Sequence, residues 1–220
     1  MATRSNPLVD DDLVDFLLYS VLDAESLCKL DGYRQHSKQT FDLYIDSVRR
    51  FSRQDLLPTY KPMDDEPPVF RDGRIHTHPA LPALYERMID LGVLTATRPE
   101  SVGGQQMPML IHTMASAYLM AANLSAYGYI GLTVGAGHLI EAFGSDEVKE
   151  RFLTRMYGGE WTGTMALTEP QAGSSLSDIT TTATPNGDGQ YLIKGSKIFI
   201  SGADHSITDN VVNLTLARIK

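Results

Sequence analysis

Residues 165–175 read Met-Ala-Leu-Thr-Glu-Pro-Gln-Ala-Gly-Ser-Ser, and Lys-Ile-Phe-Ile-Ser-Gly follows at residues 197–202. Thr168, Ser174 and Ser175 carry hydroxyls that both donate and accept hydrogen bonds. Pro170 fixes its own φ and restricts Glu169 before it. Gly173 can take backbone angles closed to other residues and lets a ligand come close to the main chain. A turn built this way can hold the polar edge of a flat heterocycle and a phosphate together.

Other residue types with chemical potential read as structural. Gly103-Gly104 lacks the Lys-Ser and helix signature of a phosphate-cradling loop and reads as a turn. Gly128, Gly131, Gly135 and Gly137 do not form Gly-x-Gly-x-x-Gly and are expected to let helices pack closely or bend. His138 and His205 read as structural histidines. His76 and His78 form a pair on an extended segment with no further ligands nearby in sequence. The Asp10–Asp12 run reads as a solvated helix start, and Trp161 as a residue of a domain junction.

The elements that must position these residues follow from periodicity. Leu13, Phe16, Leu17, Val21 and Leu22 fall at helical spacing within residues 9–30. Phe41, Tyr44, Ile45, Val48 and Phe51 repeat the pattern within 37–57. Residues 58–79, rich in proline and holding Asp72-Gly73, have no period and read as a loop. A helix is expected over 80–92 with Gly92 as its C-cap, then a Gly-containing turn over 98–107. A buried helix over 108–126, a less regular one over 129–143 and a third capped by Ser145 follow. From Thr162 the chain turns rich in Thr, Ile and Val. Tyr191-Leu-Ile, Lys197-Ile-Phe-Ile and Val211–Ile219 read as strands, with a hairpin turn at Asn186–Gly189.

The expected architecture is therefore α+β: an N-terminal helical domain over residues 1–160, then a β domain over 161–220. The 220 residues permit one or two domains. The net charge of −8 argues against nucleic acid or an anionic membrane as the main partner. No stretch of 18 or more apolar residues appears, so no membrane span is expected. The first residues lack the apolar core of a signal peptide. A single cysteine, Cys28, forbids an intrachain disulfide and fits a reducing, cytoplasmic setting; it reads as a buried small hydrophobe.

The loop and the segment after it resemble the acyl-CoA dehydrogenase family, whose flavin-binding run is Thr-Glu-Pro-x-x-Gly-Ser-Asp followed by Lys-x-(aromatic)-Ile-(Thr/Ser). Two more segments in the expected order strengthen the resemblance: Arg98-Pro-Glu-Ser-Val-Gly-Gly-Gln-Gln, and Phe143-Gly-Ser-Asp-Glu-Val-Lys-Glu-Arg-Phe-Leu. The resemblance looks nearest the larger bacterial branch, which includes methylthiopropanoyl-CoA and long-chain dehydrogenases. It implies FAD as cofactor, and a β domain that is part of a barrel-like middle domain. Met165, Leu167 and Thr168 would meet the ring edge; Gly173 and Ser174 would approach the diphosphate or the acyl-CoA substrate. Phe199, with Ile200, would cover the ring, and Ser201 would lie near the flavin N5.

The implied reaction is α,β-dehydrogenation of an acyl-CoA thioester, with a glutamate base taking the α proton and flavin N5 the β hydrogen. In the family that base lies in a C-terminal helical bundle, absent from this chain, so no catalytic residue is named and Glu169 is not promoted to the role. The chain reads as a fragment or truncated form, expected to be inactive alone. Electron-transfer flavoprotein or another acceptor, and a homo-oligomer in the full-length form, are implied partners. A non-catalytic, partner-binding remnant and an acyl-CoA oxidase or nitroalkane oxidase relative are the alternatives. Two departures from the family pattern stand out. Met165 replaces an aromatic, and Ser175 replaces the aspartate, for which Asp178 is a candidate substitute.

Overall fold

Asp10 accepts a hydrogen bond from the Leu13 amide at 3.1 Å and caps helix α1, Asp11–Asp15, which loosens into π turns over Phe16–Val21. The computed structural model describes residues 9–220. Val14 and Leu18 are buried, whereas Leu13, Phe16, Val21 and Leu22 are exposed, so the expected inward face of this segment is corrected. Asp11 selects the face. It turns inward to Arg53, to Arg49 at 3.4 Å and to the Tyr118 hydroxyl at 2.9 Å, carrying Val14 and Leu18 with it. Burial opposes ionisation of Asp11, but bonds from Arg53 and Tyr118 and the nearby Arg49 charge outweigh it and hold the carboxyl below its usual range. Asp11 is thus an ion-pair anchor, not part of a solvated helix start.

Helix α2, Lys38–Phe51, is closed at its N-terminus by a Ser37–Thr40 capping box and buries Phe41, Tyr44, Ile45, Val48 and Phe51, as its spacing predicts. The expected loop at 58–79 is a second correction. Helix α3, Leu57–Asp65, runs straight on from π turns over Ser52–Leu56, with Pro58 just beyond those turns and Pro62 inside it. Strands β1, Val69–Arg71, and β2, Arg74–His76, then form a hairpin. Its Asp72-Gly73 turn has φ of 53° and 76°, the pair of positive angles a tight hairpin needs.

Helix α4, Leu81–Asp90, buries Leu81, Leu84, Tyr85 and Met88. Gly92, at φ 69°, ends it: the Val93 amide reaches back to the Met88 carbonyl and that of Gly92 to Ile89. Helix α5, Met109–Phe143, is two helices joined at Asn123, which has φ −161° and ψ 89°. Asn123 is 1% exposed. Its Oδ1 accepts from the Ala126 amide at 3.0 Å and caps the second half, while its Nδ2 donates to Thr59 Oγ1 at 3.0 Å and Met63 Sδ at 3.2 Å. The expected break between 126 and 129 therefore lies at Asn123. Ser145 caps α6, Asp146–Tyr157.

The helical core holds a polar thread. The Tyr44 hydroxyl lies 2.9 Å from His112 Nδ1, Ser116 Oγ lies 3.4 Å from its Nε2, and Tyr127 donates to Ser116 at 3.1 Å. Burial, aided by the charge of His138, pushes the His112 pKa down to about 4. A histidine whose folded pKa is depressed loses stability as pH falls from its unfolded value of ~6.5 through the folded one. Acidification from pH 7 to 4 is therefore expected to cost about 3 kcal/mol through this residue. Melting curves of the wild type and His112→Gln across that window check it: the variant's slope should be flatter by this amount.

Strand β3, Trp161–Ala166, pairs in parallel with β6, Asn210–Thr215, from Trp161↔Asn210 to Ala166↔Thr215. Strand β4, Thr182–Pro185, sits between β5, Tyr191–Lys194, and β7, Arg218–Ile219. The predicted β4–β5 hairpin is present, with Gly187, Asp188 and Gly189 all at positive φ. The chain leaving β6 crosses from the first sheet to the second. Val211–Ile219 is thus two strands, and among the described residues the strands do not close into a barrel. The Lys197–Ile200 segment, expected as a strand, is not one: Phe199 stands at φ 59°, an angle no strand accepts.

The sheet and helices share a core of Ala136, Ile140, Leu153, Met156 and Tyr157 with Val212. Gly163 and Gly137 permit this seam. A Cβ on Gly163 would stand 2.7 Å from that of Ala136, and one on Gly137 would stand 2.7 Å from the Tyr157 ring. Of the glycines expected to let helices pack closely or bend, Gly137 serves close packing, whereas Gly128 and Gly135 have open space where a Cβ would go. Trp161 lies at the junction, under Arg155 at 4.6 Å and beside Phe152. No helix among the described residues is long and apolar enough to cross a membrane.

Candidate functional site

β3 ends at Ala166, and the chain then folds tightly on itself: the amides of Glu169 and Ala172 exchange bonds with each other's carbonyls at 2.9 and 3.0 Å around Pro170. Glu169 is turned inward and is 2% exposed. Its Oε2 accepts from the Thr180 amide at 2.7 Å, Thr180 Oγ1 at 2.8 Å and Gln171 Nε2 at 2.7 Å. Its Oε1 accepts from the Thr181 amide at 3.0 Å and from Lys197 Nζ at 2.9 Å. Burial works to raise this carboxyl's pKa. The bonds from Thr180, Thr181 and Lys197 outweigh it and hold the group far below the usual carboxylate range. The acceptor sites of Glu169 are thus filled by Gln171, Thr180, Thr181 and Lys197, which leaves it no free lone pair with which to take a proton from a substrate.

Lys197 joins the two sequence segments. Its Nζ also donates to the Leu167 carbonyl at 2.9 Å, and the next amide, Ile198, donates to the Thr168 carbonyl at 3.0 Å. Further along, Thr164 Oγ1 on β3 donates to the Ser201 carbonyl at 2.7 Å. Met165, Leu167 and Thr168 are thus brought beside Phe199, Ile200 and Ser201. Between these two attachments Phe199 is 87% exposed and stands at φ 59°.

Gly173 and Ser174 lie on the exposed arm of the loop. Gly173 does not use a positive φ; what its missing side chain supplies is open space, with no atom within 4 Å of a Cβ placed there. Ser175 donates to Asp178 at 2.8 Å, so the aspartate three residues on does pin the residue that replaces the family's Asp.

The remaining candidates fall away from this patch. His205 is buried, accepts the Ile207 amide on Nδ1 at 3.2 Å and meets Thr162 Oγ1 through Nε2 at 2.8 Å, a satisfied structural histidine as expected. The Nε2 of His138 is buried without a partner among the described residues. Beside Ser201 and Gly202 opens a cavity of about 530 Å³, walled by Leu81, Leu124, Gly128, Tyr129 and Leu132. Neither it nor the Glu169–Lys197 pair is part of the sequence reading. The pair had a signal: Glu169 is the only acid of residues 161–177 and Lys197 the only base of 195–203.

A buried acid–base pair thus braces a loop and a segment that carries an exposed aromatic, Phe199, and runs on to the cavity wall at Ser201 and Gly202. The model of the acyl-CoA dehydrogenase N-terminal domain matches residues 39–160, and that of the middle domain residues 164–216. The chain belongs to the acyl-CoA dehydrogenase family. It is 34% identical over 174 residues to 3-methylmercaptopropionyl-CoA dehydrogenase of Ruegeria pomeroyi, covering 79% of this chain and 30% of that protein. It is 32% identical over 210 residues to a butyryl-CoA dehydrogenase of Syntrophomonas wolfei, covering 93% and 34%. The chain thus spans roughly a third of the length of these relatives. Among solved structures it resembles an acyl-CoA dehydrogenase of Bacillus anthracis in complex with FAD. The TM-score is 0.68 at 25% identity, covering 82% of this chain and 29% of that one. The acyl-CoA dehydrogenase middle-domain match takes in the whole of β6 and both site segments and ends before β7.

Proposed function

We propose that this chain contributes the flavin-facing wall of an FAD-dependent acyl-CoA dehydrogenase that oxidises the Cα–Cβ bond of an acyl thioester. The observation that carries the reading is the Lys197–Glu169 tether, which ties the Leu167–Thr168 main chain to the segment that leads through Phe199 to Ser201 and Gly202 on the cavity wall. FAD, when bound, supplies the two-electron acceptor for the β hydrogen. Around it, the main chain of Met165 and Leu167 and the Thr168 hydroxyl offer bonds to the polar ring edge. With FAD bound, Phe199 and Ile200 would cover the ring and exclude water, and Ser201 would serve the reacting nitrogen. Gly173 leaves room for a diphosphate, with Ser174 donating to it or to the thioester's CoA. The cavity beside Ser201 takes the acyl chain. Residues 1–160 and 161–220 serve as the two domains of this wall. An electron-transfer flavoprotein or similar acceptor would reoxidise the enzyme, and a homo-oligomer is its expected state.

The fit to FAD rests on this structure's own features: an aromatic held outward at a strained angle, a glycine with nothing where its side chain would be, and a loop whose bracing uses the main chain of Thr168 and leaves its hydroxyl out. Thr168→Val removes that hydroxyl at nearly constant volume. Leaving a buried polar partner unmet costs ~1–3 kcal/mol, so FAD retained after gel filtration is expected to fall by about tenfold, with a shifted visible spectrum. Unchanged flavin content and spectrum would remove Thr168 from the site.

A further inference from the structure

The acyl cavity is not apolar along its whole length. Its near end is Ser201 and Gly202, and Gly202 packs against Tyr129 and Leu132 of α5: a Cβ on it would lie 3.4 Å from Leu132 and 3.6 Å from Tyr129. The cavity then follows α5 past Gly128 to Leu124, where Asn123 holds Met63. Eight residues of helix give a length of about 12 Å. Gly128 keeps the path clear, with no atom within 4 Å of where its Cβ would go. At the far end stand Glu66 and His78, from the end of α3 and the approach to α4.

His78 is oriented. Its Nδ1 accepts the Ala80 amide at 3.1 Å, which places the neutral ring's proton on Nε2. The Nε2 lies 3.8 Å from Glu66 Oε2, too far for a hydrogen bond. The far end therefore presents a donor and an acceptor that do not satisfy each other. The Glu66 side chain is 73% exposed, so a methyl terminus beside it would stay partly in water. A carboxylate terminus would meet the Glu66 charge. A hydroxyl both accepts and donates, and it matches the two groups at once.

Building on the dehydrogenase reading above, we propose that the preferred substrate is an acyl-CoA of medium length whose chain carries a hydroxyl near its far end. His78 donates to the hydroxyl oxygen and Glu66 accepts its proton in a hydrogen bond; no bond is made or broken there.

The test compares kcat/KM for octanoyl-CoA and 8-hydroxyoctanoyl-CoA in the FAD-loaded protein that carries this chain. Calorimetry of each thioester's binding runs in parallel. The hydroxylated substrate is expected to be favoured about tenfold. His78→Asn keeps an acceptor for the Ala80 amide but removes the Nε2–H donor, and Glu66→Leu removes the acceptor. Each is expected to bring the ratio of the two substrates close to one. A wild-type preference for octanoyl-CoA, or a hydroxyl preference that survives in both folded variants, overturns the proposal while the dehydrogenase reading stands. Absence of both binding and turnover with either thioester overturns the dehydrogenase reading, and this proposal with it.

Discussion

Lys197→Met is expected to release the flavin and loosen the loop together. The substitution leaves Glu169 buried without its cation, and a buried pair with one partner removed is strongly destabilised because the remaining charge is uncompensated. Three connections fail at once, since Lys197 Nζ also binds the Leu167 carbonyl and positions the Ile198 amide on Thr168. Retained FAD should drop by at least about tenfold, and the melting temperature by roughly 5 °C or more. Glu169→Gln should behave similarly, because its amide nitrogen would face donors from Thr180 or Thr181 where the carboxylate now accepts. Lys197→Arg, which keeps the charge, should retain more flavin than Lys197→Met. Flavin content and melting equal to wild type in Lys197→Met would mean that the pair does not brace the site.

Gly163→Val is expected to be as damaging for a different reason. A Cβ at residue 163 would stand 2.6 Å from Met156 Cε and 2.7 Å from Ala136 Cβ. The methionine end can turn aside. The Ala136 Cβ is fixed to the backbone of α5, so the helix must move off the sheet. Overpacking costs ~1–3 kcal/mol, and valine adds two further methyls in the same space. The shift would also stretch the 3.0 Å bond from the Gly163 amide to Thr133 Oγ1. Urea unfolding should show a loss of about 3 kcal/mol or more, with Gly163→Ala intermediate. A Gly163→Val protein that unfolds at the wild-type urea concentration would show that the helix–sheet seam is loose there.

The elements that sequence reading placed well are those in which one period dominates. Helix α2 reads directly from Phe41, Tyr44, Ile45, Val48 and Phe51, and α4 from its apolar stripe and Gly92. The failures occur where a long-range bond overrides the local pattern. The Asp11 pairs with Arg49 and Arg53 turn the first helix to a face that hydropathy alone does not select. Asn123 breaks α5 because Thr59 and Met63, some sixty residues away, hold its side chain. Pro58 and Pro62 look like loop markers, yet the helix before them carries on through both. At the site, the types and spacing of Thr168, Gly173, Phe199 and Ser201 identify the two segments. What joins them is divided between the two: Glu169 looks like part of a turn signature until Lys197, 28 residues on, is seen to bind it.

The most direct test of the account is an anaerobic titration of the FAD-loaded protein carrying this chain, watched through the flavin's visible absorbance. Saturated acyl-CoA thioesters with a Cβ–H bond should bleach the band in proportion to thioester added. Acetyl-CoA, which has no β carbon, should leave it unchanged. A protein that holds no FAD, or a bound flavin that stays oxidised with acyl-CoA thioesters of every chain length, would contradict the assignment of this fold to acyl-CoA dehydrogenation.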